Sequence, residues 1–193
     1  MKIHKITKSF GENKVLDNFS AEIPDGEITC IMGRSGCGKS TLLNIIMGLT
    51  VPDSGSIEQS GNISTVFQED RLCSRLSAAA NVKLVCPKSV TEESIAESLL
   101  AVGLEKDDLF RPVSELSGGM KRRTAIVRAV MAESDIIIMD EAFKGLDSAT
   151  KSLTAEYVLA NRNDRTLIFV THDKEEIALL GGRLIEIKET NDE

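Results

Sequence analysis

The chain has 193 residues, 41% of them apolar and 27% charged, with a formal charge of −7, which fits one globular domain with a sizeable core. The acidic balance argues against a nucleic-acid surface. No apolar run reaches the ~18 residues of a helical membrane span, and none follows Met1-Lys2-Ile3-His4-Lys5 to make a signal peptide. A cytosolic protein is expected, working at a membrane only if another chain holds it there.

Residues 2–10 and 14–23 read as antiparallel strands around a turn at Gly11-Glu12-Asn13, and Pro24-Asp25-Gly26 is a second turn. An apolar strand at 27–32 feeds a glycine-rich loop, and 39–47 reads as a helix ending near Gly48. After a turn at 52–56, further strands are expected at 56–59 and 62–67. From 72 to 115 the pattern is helical, broken by Pro87 and Pro112. Its clearest helix is 89–102, opened by Ser89-x-x-Glu92 as a capping box. An amphipathic helix at 117–132 is followed by a strand at 135–139, apolar enough to be buried on both faces. A helix at 148–161, a strand at 165–170, a helix at 174–180 and a strand at 183–188 complete the chain. The alternation predicts a single α/β domain. Its core, 1–71 with 116–193, combines a largely parallel sheet with an N-terminal antiparallel β part, and 72–115 forms a small helical subdomain.

The four cysteines, Cys30, Cys37, Cys73 and Cys86, form no C-x-x-C pair, and His4 and His172 are the only histidines. Reduced thiols are expected rather than a zinc site. Lys121-Arg122-Arg123 is a basic cluster whose plain reading is a solvated helix face.

Chemistry concentrates in Gly33-Arg34-Ser35-Gly36-Cys37-Gly38-Lys39-Ser40-Thr41, which fits G-x-x-x-x-G-K-[ST]. A chance match in such a chain is on the order of one per cent, and here a strand precedes the pattern and a helix follows it. The glycines let successive N–H groups turn inward as an anion nest. The helix points its positive end at the same place. Lys39 would reach the β- and γ-phosphates of ATP, and Ser40 would put its hydroxyl on Mg²⁺. Cys37 reads either as a reactive thiol that nucleotide protects or, more plainly, as a small residue that fits the loop. Asp140 ends the strand Ile136-Ile137-Ile138-Met139, where α/β sheets bind ligands. It is placed to hold Mg²⁺ directly or through water, while Glu141 points elsewhere and is free to orient a water. Leu116-Ser117-Gly118-Gly119 opens a helix with a good N-cap and bare backbone N–H groups.

Taken in order along essentially the whole chain, these motifs resemble the ATP-binding cassette (ABC) ATPase family. By that resemblance, 33–41 is the Walker A loop, and Phe10 stacks on adenine, with a core aromatic as the competing reading. Gln68 is the glutamine that senses Mg²⁺ and water and contacts the transport partner. Ser117, Gly118 and Gly119 belong to the signature, Asp140 and Glu141 to Walker B and the catalytic glutamate, Asp147 to the D-loop, and His172 is the switch histidine at the γ-phosphate. The chain departs from the family at Met120 (usually Gln), Ala142 (commonly Pro) and Lys144 (commonly Ser), and its helical segment is short.

The resemblance implies a homodimer in the ATP-bound state. It is arranged head to tail, with each ATP between 33–41 of one copy and 117–119 of the other. It also implies a membrane permease on a separate chain, which would hold this one at the inner face of the membrane. Gln68-Glu69-Asp70-Arg71-Leu72 and the stretch 171–176 are similar to importers of the nitrate, sulfonate and taurine type. An ABC protein of nucleic-acid repair or translation is a second reading, although the chain has no room for the insertions such proteins carry. A nucleotide-binding module that does not hydrolyse is a third.

Overall fold

The computed structural model describes residues 1–187. A three-stranded antiparallel sheet is formed by β1 (Lys2–Phe10), β2 (Asn13–Glu22) and β4 (Ser54–Glu58), in the order β2-β1-β4. A five-stranded parallel sheet takes the order β5-β6-β7-β3-β8, from β3 (Ile28–Met32), β5 (Ile63–Val66), β6 (Ile136–Asp140), β7 (Thr166–Val170) and β8 (Arg183–Glu186). The expected α/β fold, with a parallel core sheet and an antiparallel N-terminal part, is the fold observed.

The all-apolar run of β6 is explained by two cores. Ile136 and Ile138 join the cluster that holds Leu42, Leu43 and Ile46 of α1 (Lys39–Ile46) and Ile3, Ile6 and Leu16 of the antiparallel sheet. Ile137 and Met139, pointing the other way, join Ala125, Ile126 and Ala129 of α4 (Gly118–Met131) and Ala155 and Val158 of α5 (Ser148–Asn161). Alternation of period two thus serves two apolar layers at once. Phe143 and Phe169 meet in the second layer with ring centroids 5.0 Å apart.

Three expected boundaries move. β4 begins at Ser54, inside the expected turn, because Asp53 already ties the chain to β1 through the Ser9 N–H (2.7 Å) and the Lys8 ammonium (2.8 Å). Ser89 is not a cap: α3 (Glu92–Ala101) is capped by Thr91, whose hydroxyl accepts the Ser94 N–H at 3.2 Å. Between 72 and 115 the regular structure is α2 (Ala78–Lys83), α3 and two single turns, Lys106–Asp108 and Val113–Glu115. The last strand is described to Glu186; its expected end at Lys188 lies outside the described residues. A short helix, α6 (Lys174–Leu180), follows β7.

Candidate nucleotide site

Loop 33–38 leaves the C-terminal end of β3 and turns into α1. Gly38, the N-cap, has φ 98°, and a Cβ there would stand 2.9 Å from the Val15 carbonyl oxygen, so glycine is needed for both conformation and space. It also leaves α1 with no side-chain cap, so the first N–H groups of the helix remain available for an anion. The Lys39 ammonium is nearly buried and donates to the carbonyls of Gly33 (2.8 Å) and Arg34 (2.7 Å).

A cleft of about 550 Å³ opens over this loop. Ser35, Gly36, Gly38, Lys39, Ser40 and Thr41 line one side, and Gln68, Asp140, Glu141 and His172 the other. Phe10 stands at its edge, 55% exposed, with the Lys8 ammonium 5.5 Å from its ring centre; it is not a core aromatic. The opposing residues come from the ends of β5, β6 and β7, which lie side by side with β3 in the parallel sheet.

Ser40 Oγ is 3.5 Å from Asp140 Oδ2, a long contact between two hard oxygen donors. Burial, and then the neighbouring Glu141 charge, push the Asp140 carboxyl above the usual carboxylate range. Burial also works to raise Glu141. The Lys144 ammonium and then His172 outweigh it, and Glu141 lies below its ordinary value. Two adjacent carboxyls are thereby pushed apart, as in sites that divide roles between them. Glu141 sits in the left-handed region at φ 47°, with its N–H donating to Val170 O at 2.9 Å. Such a conformation costs roughly 1–3 kcal/mol and persists where the surroundings fix it. It turns the carboxylate toward three partners: Lys144 Nζ (3.1 Å) and Gln68 Nε2 (3.4 Å) donate to Oε2, and His172 Nδ1 is 3.3 Å from Oε1.

Other expected site residues lie apart from the cleft. Ser117 caps α4 through the Met120 N–H (3.3 Å); Ser117 and Gly118 are exposed and Gly119 is half-buried, and this helix end lies away from the cleft lining. Asp147 caps α5 through the Thr150 N–H (3.0 Å) and does not line the cleft. Gly33 contributes its carbonyl to Lys39, while the Cys37 side chain is 3% exposed and packs in the core, which favours the small-residue reading over the reactive thiol.

Two features were missed. Lys144 lines the cleft and pairs with Glu141. Arg122, expected on a solvated face, is buried, and its neighbour Arg123 donates to the carbonyls of Val102 (2.8 Å) and Gly119 (3.2 Å). The spacing held a signal: Arg122, Ala125, Ile126 and Ala129 follow i, i+3, i+4, i+7, so Arg122 shares the apolar stripe of α4. A larger depression of about 620 Å³ lies between α3, α4 and α5. It holds none of the motif residues, and its Arg165 guanidinium is occupied by main-chain carbonyls such as Val130 O and Ala132 O.

The family model described as ABC transporter matches residues 16–144. The bicarbonate transport ATP-binding protein CmpD of Synechocystis sp. is 36% identical over 192 residues, covering 91% of this chain and 68% of that protein. The aliphatic sulfonates import ATP-binding protein SsuB 2 of Burkholderia lata is 36% identical over 189 residues, covering 92% and 69%. Among solved structures, the dimeric MJ0796, a bacterial ABC transporter cassette, superposes with a TM-score of 0.82 at 31% identity over 97% of this chain and 94% of that one. A post-hydrolysis MJ0796 dimer bound to ADP and Pi gives a TM-score of 0.83 at 29% identity over 100% and 97%. With that coverage and the matching fold, the chain belongs to the ABC transporter family and is an ABC ATPase.

Proposed function

We propose that this chain is the ATP-hydrolysing subunit of a bacterial importer, acting as a head-to-tail pair beneath a permease on a separate chain. No helix among the described residues is long and apolar enough to cross a membrane, so the permease supplies the membrane path in this reading. The observation that carries it is the division of the motif residues. One set gathers in the cleft, and the Ser117 end of α4 faces outward, where a second copy's nucleotide would meet it. The relatives named for bicarbonate and sulfonate transport favour a small anion as cargo.

Loop 33–38 and the start of α1 hold the phosphates, and Lys39 exchanges its two carbonyl partners for phosphate oxygens. Ser40 and Asp140, with Gln68 beside them, make a hard-oxygen set that fits Mg²⁺. Among the described residues no group of three acidic, His or Cys side chains could hold a metal alone, and a Mg²⁺ site completed by the substrate's own phosphates agrees with that. When bound, the ion neutralises charge on the transferring phosphoryl group. Glu141, held ionised, takes the proton of the attacking water, and His172 and Gln68 fix the direction of its carboxylate.

The test is phosphate release with and without Mg²⁺, with Lys39→Ala as control. Mg²⁺-dependent release by the natural chain, absent in Lys39→Ala, is expected. Release no greater than the control's would refute hydrolysis and favour a binding module.

A further inference from the structure

Helix α4 holds the stretch that carries Gln68 into the cleft, as well as presenting its Ser117 end outward. Arg122, nine-tenths buried, donates from Nη1 to the Phe67 carbonyl at 2.7 Å and from Nη2 to the Gln68 carbonyl, while its Nε stands 3.2 Å from Asp70 Oδ1. Arg128, six residues on, donates to the carbonyls of Asp70 (3.0 Å) and Arg71 (2.8 Å). Arg71 is itself left-handed at φ 45°, and its guanidinium lies 3.8 Å from the centre of the Phe67 ring. Two guanidinium groups of one helix therefore fasten four residues of the irregular stretch after β5. Within that stretch is Gln68, whose side-chain amide lies 3.4 Å from Glu141 Oε2.

The same helix begins at the Ser117 N-cap, five residues before Arg122. At ~1.5 Å per residue the guanidinium is anchored only about 8 Å along a stiff rod from that end. Lysine is a poor replacement for the fork. Its three donors radiate from one nitrogen, whereas the fixed guanidinium plane spreads Nη1, Nη2 and Nε along an edge that faces two carbonyls and a carboxylate together, so a lysine here would leave part of that set without its donor.

We propose that Arg122 is a positioning residue: it sets Gln68 in the cleft through the Gln68 backbone and locks it to the Ser117 end of α4. Occupancy of one cleft is thereby transmitted to the surface that meets the other copy's nucleotide. This rests on the head-to-tail pair proposed above.

The experiment is Arg122→Lys, made in the natural chain and in a Gln68→Ala background. Arg122→Lys should lower kcat about tenfold, as expected for a misplaced catalytic group. It should bring the Hill coefficient for ATP toward 1 and leave the affinity for a fluorescent ADP analogue within about twofold, a difference near the limit of such a measurement. In the Gln68→Ala background the same change should alter kcat by less than about twofold, because the two residues act as one unit. A tenfold loss that persists without Gln68 would mean a merely structural role and overturn the proposal, as would natural kcat and cooperativity in Arg122→Lys. Should the natural chain release no phosphate, the functional reading fails on its own. Amide exchange across residues 67–71, which needs no turnover, then decides: faster exchange in Arg122→Lys supports the clamp, and unchanged exchange overturns it.

Discussion

Replacing Lys151 with Met tests how the histidine loop is held. Lys151, on α5, meets Asp173 Oδ2 at 2.9 Å and Glu176 Oε1 at 2.8 Å, immediately after His172. The Glu176 side chain is 5% exposed, and its other oxygen takes the Thr171 hydroxyl at 2.6 Å. Losing Lys151 leaves that carboxylate buried with one neutral donor. Breaking a buried pair costs ~3–5 kcal/mol. Lys151 is itself one-fifth exposed, and solvent reduces the loss to about 2–3 kcal/mol. For a chain of this size that is roughly 5–10 °C in Tm. Hydrogen bonds to Glu176 and then Asp173 raise the Lys151 pKa. Its contribution is therefore complete below the ordinary lysine value of ~10.4 and is lost as pH rises through the raised folded value. The Lys151 hydrogen bond, and then the Glu175 N–H, hold Asp173 below its ordinary value. That contribution is present above ~3.9 and fades as pH falls through the lowered folded value. Urea unfolding followed by circular dichroism should show a constant gap between the natural chain and Lys151→Met from about pH 5 to 9, closing at alkaline pH. Adding Glu176→Gln should recover much of the loss by removing the stranded charge. A gap under about 0.5 kcal/mol at pH 7, the size of an exposed pair, would refute the burial argument, as would a gap undiminished in strong alkali.

Two further outcomes follow from the cleft. Glu141→Gln should retain nucleotide, accumulate an ATP-bound dimer on size exclusion and release phosphate about a hundredfold more slowly or worse; near-natural turnover would remove Glu141 from the role assigned to it. Lys144→Ser removes the largest influence holding Glu141 below its ordinary value, so the Glu141 pKa must rise. If catalysis needs ionised Glu141, the acid limb of kcat/KM, which reports the enzyme before nucleotide binds, moves to higher pH, and a limb that stays in place would show that another group governs it.

Local chemistry was legible and long-range order was not. The phosphate loop could be read because its glycines, lysine and serine act within one turn of backbone, and the Gly38 geometry requires what the motif supplies. Asp140 and Glu141 were legible as the end of an apolar strand. No local pattern specifies that β6 and β7 lie between β5 and β3, yet that order is what brings Gln68, Asp140, Glu141 and His172, which only the family resemblance groups, over one helix start. Strand pairing across more than a hundred residues leaves no local pattern. The misplaced cap of α3 has a different cause. Ser89 and Thr91 are both competent caps, and only the backbone path decides which hydroxyl reaches the Ser94 N–H. Arg122 was misread because charge was weighed above spacing.

The three departures from the family pattern do not act alike. Met120 supplies the Ser117 cap through its backbone N–H and packs its side chain, half-buried, on the main core, so the helix end does not depend on a glutamine side chain there. Ala142 is completely buried behind Glu141, and the left-handed turn at Glu141 forms without a proline after it. Neither change touches a polar group in the cleft. Lys144 does: it places a half-exposed ammonium on the Glu141 carboxylate, in the cleft proposed to take the nucleotide's negative charge. Phosphate oxygens would compete with Glu141 for that cation. An ammonium drawn toward phosphate would leave Oε2 of Glu141 with Gln68 alone, whereas the common serine carries no charge to exchange. Of the three substitutions, only this one changes the charge that faces Glu141 in the cleft.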